Sequence, residues 1–127
     1  MYVDVDLLYA LIKENDRHRE TAEKVLGGKS KLCTSAVGLL ELEILIKREM
    51  SDFLSLHVDE LVRQKFPKLK VIPFSEKLFK ESLALRQRHG LGIFDSIHAA
   101  TALAVRHKIA STDHVFDRVP LLERMSL

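Results

Sequence analysis

Strand-like segments alternate with helical patterns along the chain, and this alternation limits the fold more than any other feature. Four short segments rich in β-branched or aromatic residues read "MYVDV", "KLCTS", "LKVIPF" and "KIAST". Amphipathic or apolar helical patterns fill the intervals between them. Because strands separated by helices pair in parallel, we predict an α/β fold with a short parallel sheet covered by helices on both faces.

Local start and stop signals place the predicted helices. Asp6 can cap a helix that follows the first strand, and Gly27 with Gly28 ends the next one. Ser51 can cap a further helix that runs until Pro67 ends it. These signals alternate with the strand-like segments without a linker or repeat, so we expect one domain, residues 1–127.

Composition excludes several classes of protein. The content of 46% hydrophobic and 30% charged residues is ordinary for a soluble globular chain. No apolar run approaches the roughly 20 residues that span a bilayer, and the start "MYVDVD" does not resemble a secretory signal. The one cysteine, Cys33, permits no internal disulfide, which is consistent with a reducing cytosol. We therefore expect a cytoplasmic protein, and its net charge of +2 permits a polyanionic partner.

Acidic residues stand where the predicted strands end. Asp4 and Asp6 follow the first strand, and Asp113 follows the last one. Asp95 begins the alanine-rich helix that leads into that last strand. Ligands of parallel sheets bind outside the carboxyl ends of the strands. If the first and last strands are neighbours, Asp4 and Asp113 share one crevice, and Asp95 reaches it from the side.

Two glutamates interrupt the apolar helix "AVGLLELEILIKRE", residues 36–49. Glu43 has Lys47 four positions on, the favourable order for an exposed ion pair. Glu41 has no cation at helical spacing and is flanked by apolar residues. We therefore interpret Glu43 as a solvated surface residue. Glu41 is interpreted as a carboxylate at the border of the core, whose charge needs another partner.

An oxygen-only cluster of this kind suits Mg²⁺ or Mn²⁺, since both prefer carboxylate and water ligands. Without a cation, several carboxylates in one crevice would repel and raise one another's pKa values. The six histidines include no pair four apart and the cysteine has no partner, so nothing favours zinc. The basic clusters, among them Lys47 and Arg48, are solvated faces unless they rim the acidic crevice.

Each of these residues also has a purely structural interpretation. Asp6 and Asp95 can be helix caps, and Asp113 can be a turn residue. His98 and His114, which lie near Asp95 and Asp113 in the sequence, are interpreted as packing or surface residues. Any one acid is weak evidence for a site. Four acids at these places in one fold are stronger evidence.

The chain resembles the PIN-domain family over nearly its whole length. The opening "YVDVDLLYAL" is similar to the family's start, and "TSAVGLLELEILIKRE" is similar to its second motif, with Glu41 at the characteristic glutamate. The segment "GIFDSIHAATALAVRHKIASTDHVF" resembles the third and fourth motifs and is the most specific of the three. The size resembles that of the small VapC-type toxins.

The resemblance implies a three-layer α/β/α sandwich and metal-dependent endoribonuclease activity that leaves a 5′-phosphate and a 3′-hydroxyl. In this interpretation Mg²⁺ (or Mn²⁺) is the cofactor, and Glu41 orients a water molecule or completes a second metal site. The residues that fall on the family's acidic quartet are Asp4, Glu41, Asp95 and Asp113. The implied partners are an RNA substrate, a second copy in a homodimer and an antitoxin that covers the site.

The sequence departs from the family's pattern at three positions. Asp6 stands where Asn is common, and Ser111 stands where Thr is usual. Both keep an oxygen atom, so Asp6 and Ser111 are secondary candidates for the site. Val115 occupies a position that is often acidic in the family, so we expect the site to bind only one or two metal ions well.

Two other functions remain open at this point. The same fold can serve as a catalytically inert PIN-like binding module. A haloacid-dehalogenase-type phosphatase is also conceivable, because "DVD" and "TDHVFD" imitate its motifs, with Asp4 as nucleophile and Asp6 as general acid. That chemistry leaves Glu41 and Asp95 without roles. A receiver-type phosphorylation domain is excluded, because no acceptor aspartate follows the middle strands.

Overall fold

A four-stranded parallel sheet forms the centre of the computed structural model, which describes residues 1–27 and 31–125. The strand order is β3-β2-β1-β4, so the first and last strands are neighbours. The register pairs Tyr2 with Cys33 on one side and with Ile109 on the other. The strands are β1 Tyr2–Val3, β2 Cys33–Ser35, β3 Lys70–Ile72 and β4 Ile109–Ala110. The predicted parallel sheet is thus confirmed, with strands shorter than the β-rich segments of the sequence.

Seven α-helices and one 3₁₀ helix surround the sheet within the described residues, and none is long and apolar enough to cross a membrane. They are α1 Val5–Ile12, α2 Arg19–Leu26, α3 Ala36–Glu49, α4 Asp52–Ser55, α5 Val58–Lys65, α6 Glu76–His89, α7 Ile93–Ala104 and the 3₁₀ helix His114–Arg118.

Two hydrophobic cores lie on the two faces of the sheet. Alternate residues of a strand point to opposite faces, so Val3 and Ala110 belong to one core and Tyr2 and Ile109 to the other. The first core is filled from α1, α2, α3 and α5, and the second from α7 and the residues around Phe116. Helix α6 packs on α7. This arrangement leaves the carboxyl ends of the strands open at one edge.

The start of α1 corrects one prediction. Asp4 caps this helix, and its Oδ1 accepts a hydrogen bond from the backbone N–H of Val5 at 2.8 Å. Asp6, the predicted cap, lies in the first turn. The prediction was wrong because β1 ends at Val3, earlier than the β-rich segment does, and the chain turns into the helix at once.

The predicted helix from Ser51 to Pro67 is divided in two. Ser51 does cap α4, accepting a hydrogen bond from the Leu54 N–H at 3.0 Å, but α4 ends after one turn. The buried Ser55 donates to the carbonyl oxygen of Asp52 at 2.7 Å, which competes with the helical bonding pattern. Among the predicted stops, the Gly27 N–H closes α2 on Glu23, whereas Gly28 lies outside the described residues.

Candidate functional site

A cleft of about 510 Å³ opens at the carboxyl ends of β1 and β4. All four acids of the predicted quartet line it, together with Asp6. Helices α3 and α7 form its sides, and the apolar or basic residues on those sides include Ile44, Arg48 and Phe94. The predicted crevice therefore exists, because the neighbouring strands β1 and β4 bring Asp4 and Asp113 to one edge of the sheet. The quartet residues are Asp4, Glu41, Asp95 and Asp113.

Asp4 lies at the floor of this cleft and is only 7% exposed. Its Oδ1 accepts from the Val5 N–H, and its Oδ2 accepts from the Ser111 hydroxyl at 2.7 Å. Burial raises the pKa of Asp4 to about 6, the nearby His98 opposes that shift, and the charge of Asp6 adds to it. A carboxylate in this position is costly as a lone anion, so a cation in the cleft would stabilise it.

Asp6 and Ser111 organise the loop that follows β4. The Asp6 Oδ2 accepts from both the backbone N–H and the hydroxyl of Thr112. The Ser111 hydroxyl, which donates to Asp4, also accepts from the Asp113 N–H at 3.0 Å. These two secondary candidates thus connect the residues that follow β1 to the loop that follows β4. Their hydrogen bonds hold the two segments together at the edge of the sheet.

Glu41 reaches the cleft from α3 and pairs with a histidine of α7. His98 Nε2 lies 2.8 Å from Glu41 Oε1 and 3.7 Å from Asp4 Oδ1. On the other side of the ring, Nδ1 lies 2.6 Å from the Tyr2 hydroxyl oxygen. His98 is completely buried, and burial alone would lower its pKa. The hydrogen bond to Glu41 and the charges of Asp4 and the neighbouring acids outweigh burial and raise the pKa of His98.

Asp95 and Asp113 complete the acidic lining. Asp95 projects from the first turn of α7, which begins after Gly92, so Asp95 is not the cap of this helix. Burial raises the pKa of Asp95, and the charge of Asp113 raises it further. Within residues 1–27 and 31–125, no hydrogen bond reaches the Asp95 carboxylate. Asp113 is exposed and caps the 3₁₀ helix through a 2.9 Å bond from the Val115 N–H.

The donor set fits a hard divalent cation. One ligand atom each of Asp4, Glu41 and His98 lies within 4.8 Å of the others, close enough to surround a single ion. Both ring nitrogens of His98 already have hydrogen-bond partners, so the available donors are carboxylate oxygens. Oxygen donors are the ligands that Mg²⁺ and Mn²⁺ prefer.

The two glutamates of α3 differ, though only one of them behaves as predicted. Glu41 has the non-local partner that its position required, and this partner is His98. The predicted Glu43–Lys47 ion pair is absent from the described part of the chain, and Glu43 is half-buried rather than fully solvated. Helical spacing made the pair available, but an exposed pair gains little energy and need not form.

Two residues that bear on the site were not predicted from the sequence. His98, interpreted as a packing or surface residue, is indeed buried but also bonds to Glu41. Its position three residues after Asp95 placed both on one face of the helix and was the available signal. Nothing in the sequence connected Tyr2 to His98. In contrast, His114 is a surface residue as predicted, beside Asp117 and Arg124.

A family profile of the PIN domain matches residues 1–122. A search of curated protein sequences finds no match. The solved structure of Mycobacterium tuberculosis VapC20, a sarcin-ricin loop cleaving toxin, is similar with a TM-score of 0.81 at 17% identity, covering 96% of each chain.

Two further similar structures come from complexes. A toxin-antitoxin complex from Klebsiella pneumoniae has a TM-score of 0.71 at 21% identity, covering 95% of this chain and 93% of that chain. VapBC2 from Rickettsia felis, bound to a DNA fragment from its promoter, has a TM-score of 0.72 at 19% identity, covering 98% and 96%. At such low identity these similarities show a shared fold.

Proposed function

This chain belongs to the PIN-domain family, and from that membership we propose that it is a Mg²⁺- or Mn²⁺-dependent endoribonuclease, the toxin of a type II toxin-antitoxin pair. The observation that carries the proposal is the convergence of the four quartet carboxylates, together with that of Asp6, in one cleft at the carboxyl ends of the strands. The proposal assigns catalysis to the single PIN-like domain of residues 1–127, acting in the cytoplasm.

Asp4, Asp95 and Asp113 are proposed to hold the cation from three different elements of the fold. When bound, Mg²⁺ would supply positive charge to the scissile phosphate and make water more acidic. Asp4 is fixed by two hydrogen bonds and so presents a rigid oxygen. Asp95 carries no hydrogen bond within the described residues and is free to turn its oxygens toward the cation.

Glu41 is proposed to orient the attacking water or to complete a second metal site. In the first role, its carboxylate accepts a hydrogen bond from the water whose oxygen attacks phosphorus. The bond from phosphorus to the 3′-oxygen then breaks and the 3′-oxygen takes a proton from solvent, while the attacking water loses one to solvent. The products are a 5′-phosphate and a 3′-hydroxyl. A half-buried carboxylate held at 2.8 Å from His98 has the fixed orientation that this task needs.

The cleft offers further groups to an RNA strand. Arg48 lines it beside the acids, so the basic cluster at residues 47 and 48 does rim the crevice in part. A guanidinium at this rim would bind a phosphate that flanks the scissile one. The proposal of an RNA substrate is supported by the similar VapC20, which is described as a sarcin-ricin loop cleaving toxin.

An antitoxin partner is proposed because several of the similar structures are toxin-antitoxin complexes. A cleft with this much negative charge would accept a basic side chain from such a partner when no cation is bound. A homodimer is proposed as well. Helix α6 exposes Phe79 and Leu83, and Phe74 lies against Phe79, so this apolar surface is available to a second copy.

The test of dimerisation is sedimentation of the purified protein at micromolar concentration. We expect a dimer for the wild type and a monomer for a variant carrying Phe79→Glu and Leu83→Glu, because two buried charges would oppose association. As a control, Lys77→Glu changes an exposed residue of the same helix and should leave the dimer intact. A monomeric wild type would refute the homodimer.

The function itself is tested by incubating the protein with structured and unstructured RNAs, with and without Mg²⁺ or Mn²⁺. We expect cleavage only with metal, and we expect Asp4→Asn and Asp95→Asn to abolish it. Metal binding without cleavage of any RNA would favour the inert binding module. The phosphatase alternative has less support, since Asp6, its general acid, already accepts two hydrogen bonds from Thr112.

A further inference from the structure

We propose that His98, held by Tyr2, is a positioning residue that fixes the Glu41 carboxylate toward the cleft and is not itself a metal ligand. The inference rests on the proposed function, because it explains how Glu41 keeps its orientation in the same site. It adds two residues, one from β1 and one from α7, to the five acids that line the cleft.

Both nitrogens of the His98 ring are in use. Nε2 lies 2.8 Å from Glu41 Oε1, and a carboxylate can only accept, so Nε2 carries a proton. Nδ1 lies 2.6 Å from the Tyr2 hydroxyl oxygen, on the side of the ring away from Glu41. No lone pair of the ring is therefore available to a cation. Asp4 Oδ1, at 3.7 Å from Nε2, is too distant for a normal hydrogen bond.

The surrounding packing leaves the ring in one orientation. His98 and Tyr2 are both completely buried, with ring centroids 5.7 Å apart. Helix α3 comes close at Gly38, where an added Cβ would lie 3.5 Å from His98 Cε1 and 2.7 Å from the Thr34 hydroxyl oxygen. The ring is thus held between a strand and two helices. Because the ring cannot turn, the hydrogen bond from Nε2 fixes the Glu41 carboxylate, whose only hydrogen bond among the described residues is this one.

Residues behind the groups that contact a metal or substrate typically contribute roughly 10- to 100-fold to affinity or activity. Two variants of His98 separate the loss of the hydrogen bond to Glu41 from the loss of side-chain volume. The amide nitrogen of His98→Gln can take the place of Nε2 and donate to Glu41, whereas that of His98→Asn is too short to reach it. We expect His98→Asn to lower kcat by roughly 10- to 100-fold with KM for RNA little changed, and His98→Gln to recover most of the loss.

Tyr2→Phe removes only the hydroxyl that faces Nδ1. Its matched control is Tyr9→Phe, because the Tyr9 hydroxyl is also buried but has no hydrogen-bond partner within the described residues. We expect Tyr2→Phe to lower kcat and Tyr9→Phe to leave it unchanged. Equal kcat in the two variants would overturn the role of Tyr2.

A double-mutant cycle tests whether His98 acts through Glu41. The double variant Glu41→Gln with His98→Asn should be no slower than Glu41→Gln alone, because the positioned group has already lost its function. If the two losses in kcat multiply instead, His98 acts independently of Glu41, and the proposal is wrong.

A measurement without RNA tests whether His98 is a metal ligand, and it does so independently of the proposed nuclease activity. Pulsed electron paramagnetic resonance of the Mn²⁺-loaded wild type should show no directly bound nitrogen. His98→Gln should lower the Mn²⁺ affinity by much less than the roughly 10- to 100-fold that loss of a supporting group costs, because its amide keeps the hydrogen bond to Glu41. A nitrogen coupling that disappears in His98→Gln would make His98 a ligand. Failure of the wild type to cleave RNA would refute the nuclease alone, whereas failure to bind Mn²⁺ would overturn both.

Discussion

Replacing Asp4 by Asn should stabilise the metal-free protein at neutral pH while it removes the activity. Burial raises the pKa of Asp4 to about 6 from an ordinary value of 3.8. One pKa unit corresponds to about 1.4 kcal/mol, so ionised Asp4 costs the native state about 3 kcal/mol at pH 7 at most. Asn keeps the Oδ1 that caps α1, and the changed bond to Ser111 costs about 1 kcal/mol.

The expected net gain is therefore about 1 to 2 kcal/mol, which raises Tm by roughly 4 to 8 °C in a chain of this size. The gain should depend on pH in a definite sense. Between pH 3.8 and about 6 native Asp4 holds a proton that the unfolded chain has released, so its contribution to stability falls as pH rises through this window. Asp4→Asn has no such pH-dependent contribution to its stability. The gain in the free energy of unfolding of Asp4→Asn over the wild type should therefore be full at pH 7 and nearly absent at pH 4.

Urea unfolding in EDTA at a series of pH values measures this effect. Asp117→Asn is the matched control, because hydrogen bonds from Arg124 and His114 hold the pKa of Asp117 below its usual range. That replacement should lower stability at neutral pH and matter less in acid, the opposite sign. If Asp4→Asn is less stable than the wild type by the same amount at pH 4 and pH 7, Asp4 serves packing alone and its buried charge does not destabilise the native state.

Three further predictions concern residues around the cleft. Glu41→Gln should lower activity by roughly 10²-fold or more, whereas Glu43→Gln should change it little; equal losses in an RNA-cleavage assay would contradict the assignment of Glu41. Arg48→Ala should weaken RNA binding and reduce its salt dependence by roughly one phosphate contact, measured by fluorescence anisotropy in Ca²⁺ at several salt concentrations; an unchanged salt slope would remove Arg48 from the RNA path. Mn²⁺ should raise Tm by several degrees at a hundred times Kd, and Asp113→Asn should raise the metal-free Tm slightly yet remove most of that shift; a lower metal-free Tm with the full Mn²⁺ shift would make Asp113 a turn residue only.

The place of the acids was predictable because it depends on topology. Asp4 and Asp113 follow strands, and parallel strands end at one edge of a sheet, so only the neighbour relation of β1 and β4 had to be assumed. Asp95 and Glu41 were singled out by their positions on the predicted helices, and the resemblance of the motifs then assigned both to the acidic quartet. Local reasoning failed at Asp6, because capping depends on where β1 ends, and short strands end within one residue of the helix.

The role of His98 was not predictable from its neighbours in the sequence. The contacts that define it come from Tyr2 and Glu41, which lie 96 and 57 positions away in the chain. Helical spacing shows which residues share a face with His98, but not which element packs against that face. The missing Glu43–Lys47 pair has the opposite cause, since spacing permits an exposed ion pair without making it stable.

We propose above all that the carboxylates of the cleft hold a cation for the cleavage of RNA. The most direct test of this proposal compares the wild type with Asp95→Asn in one RNA-cleavage assay, titrated with Mn²⁺ after removal of all metal. We predict no cleavage without metal, saturable cleavage with Mn²⁺ that leaves 5′-phosphate ends, and no cleavage by Asp95→Asn at any Mn²⁺ concentration. Cleavage that persists in EDTA, or an Asp95→Asn variant as active as the wild type, would contradict the claim.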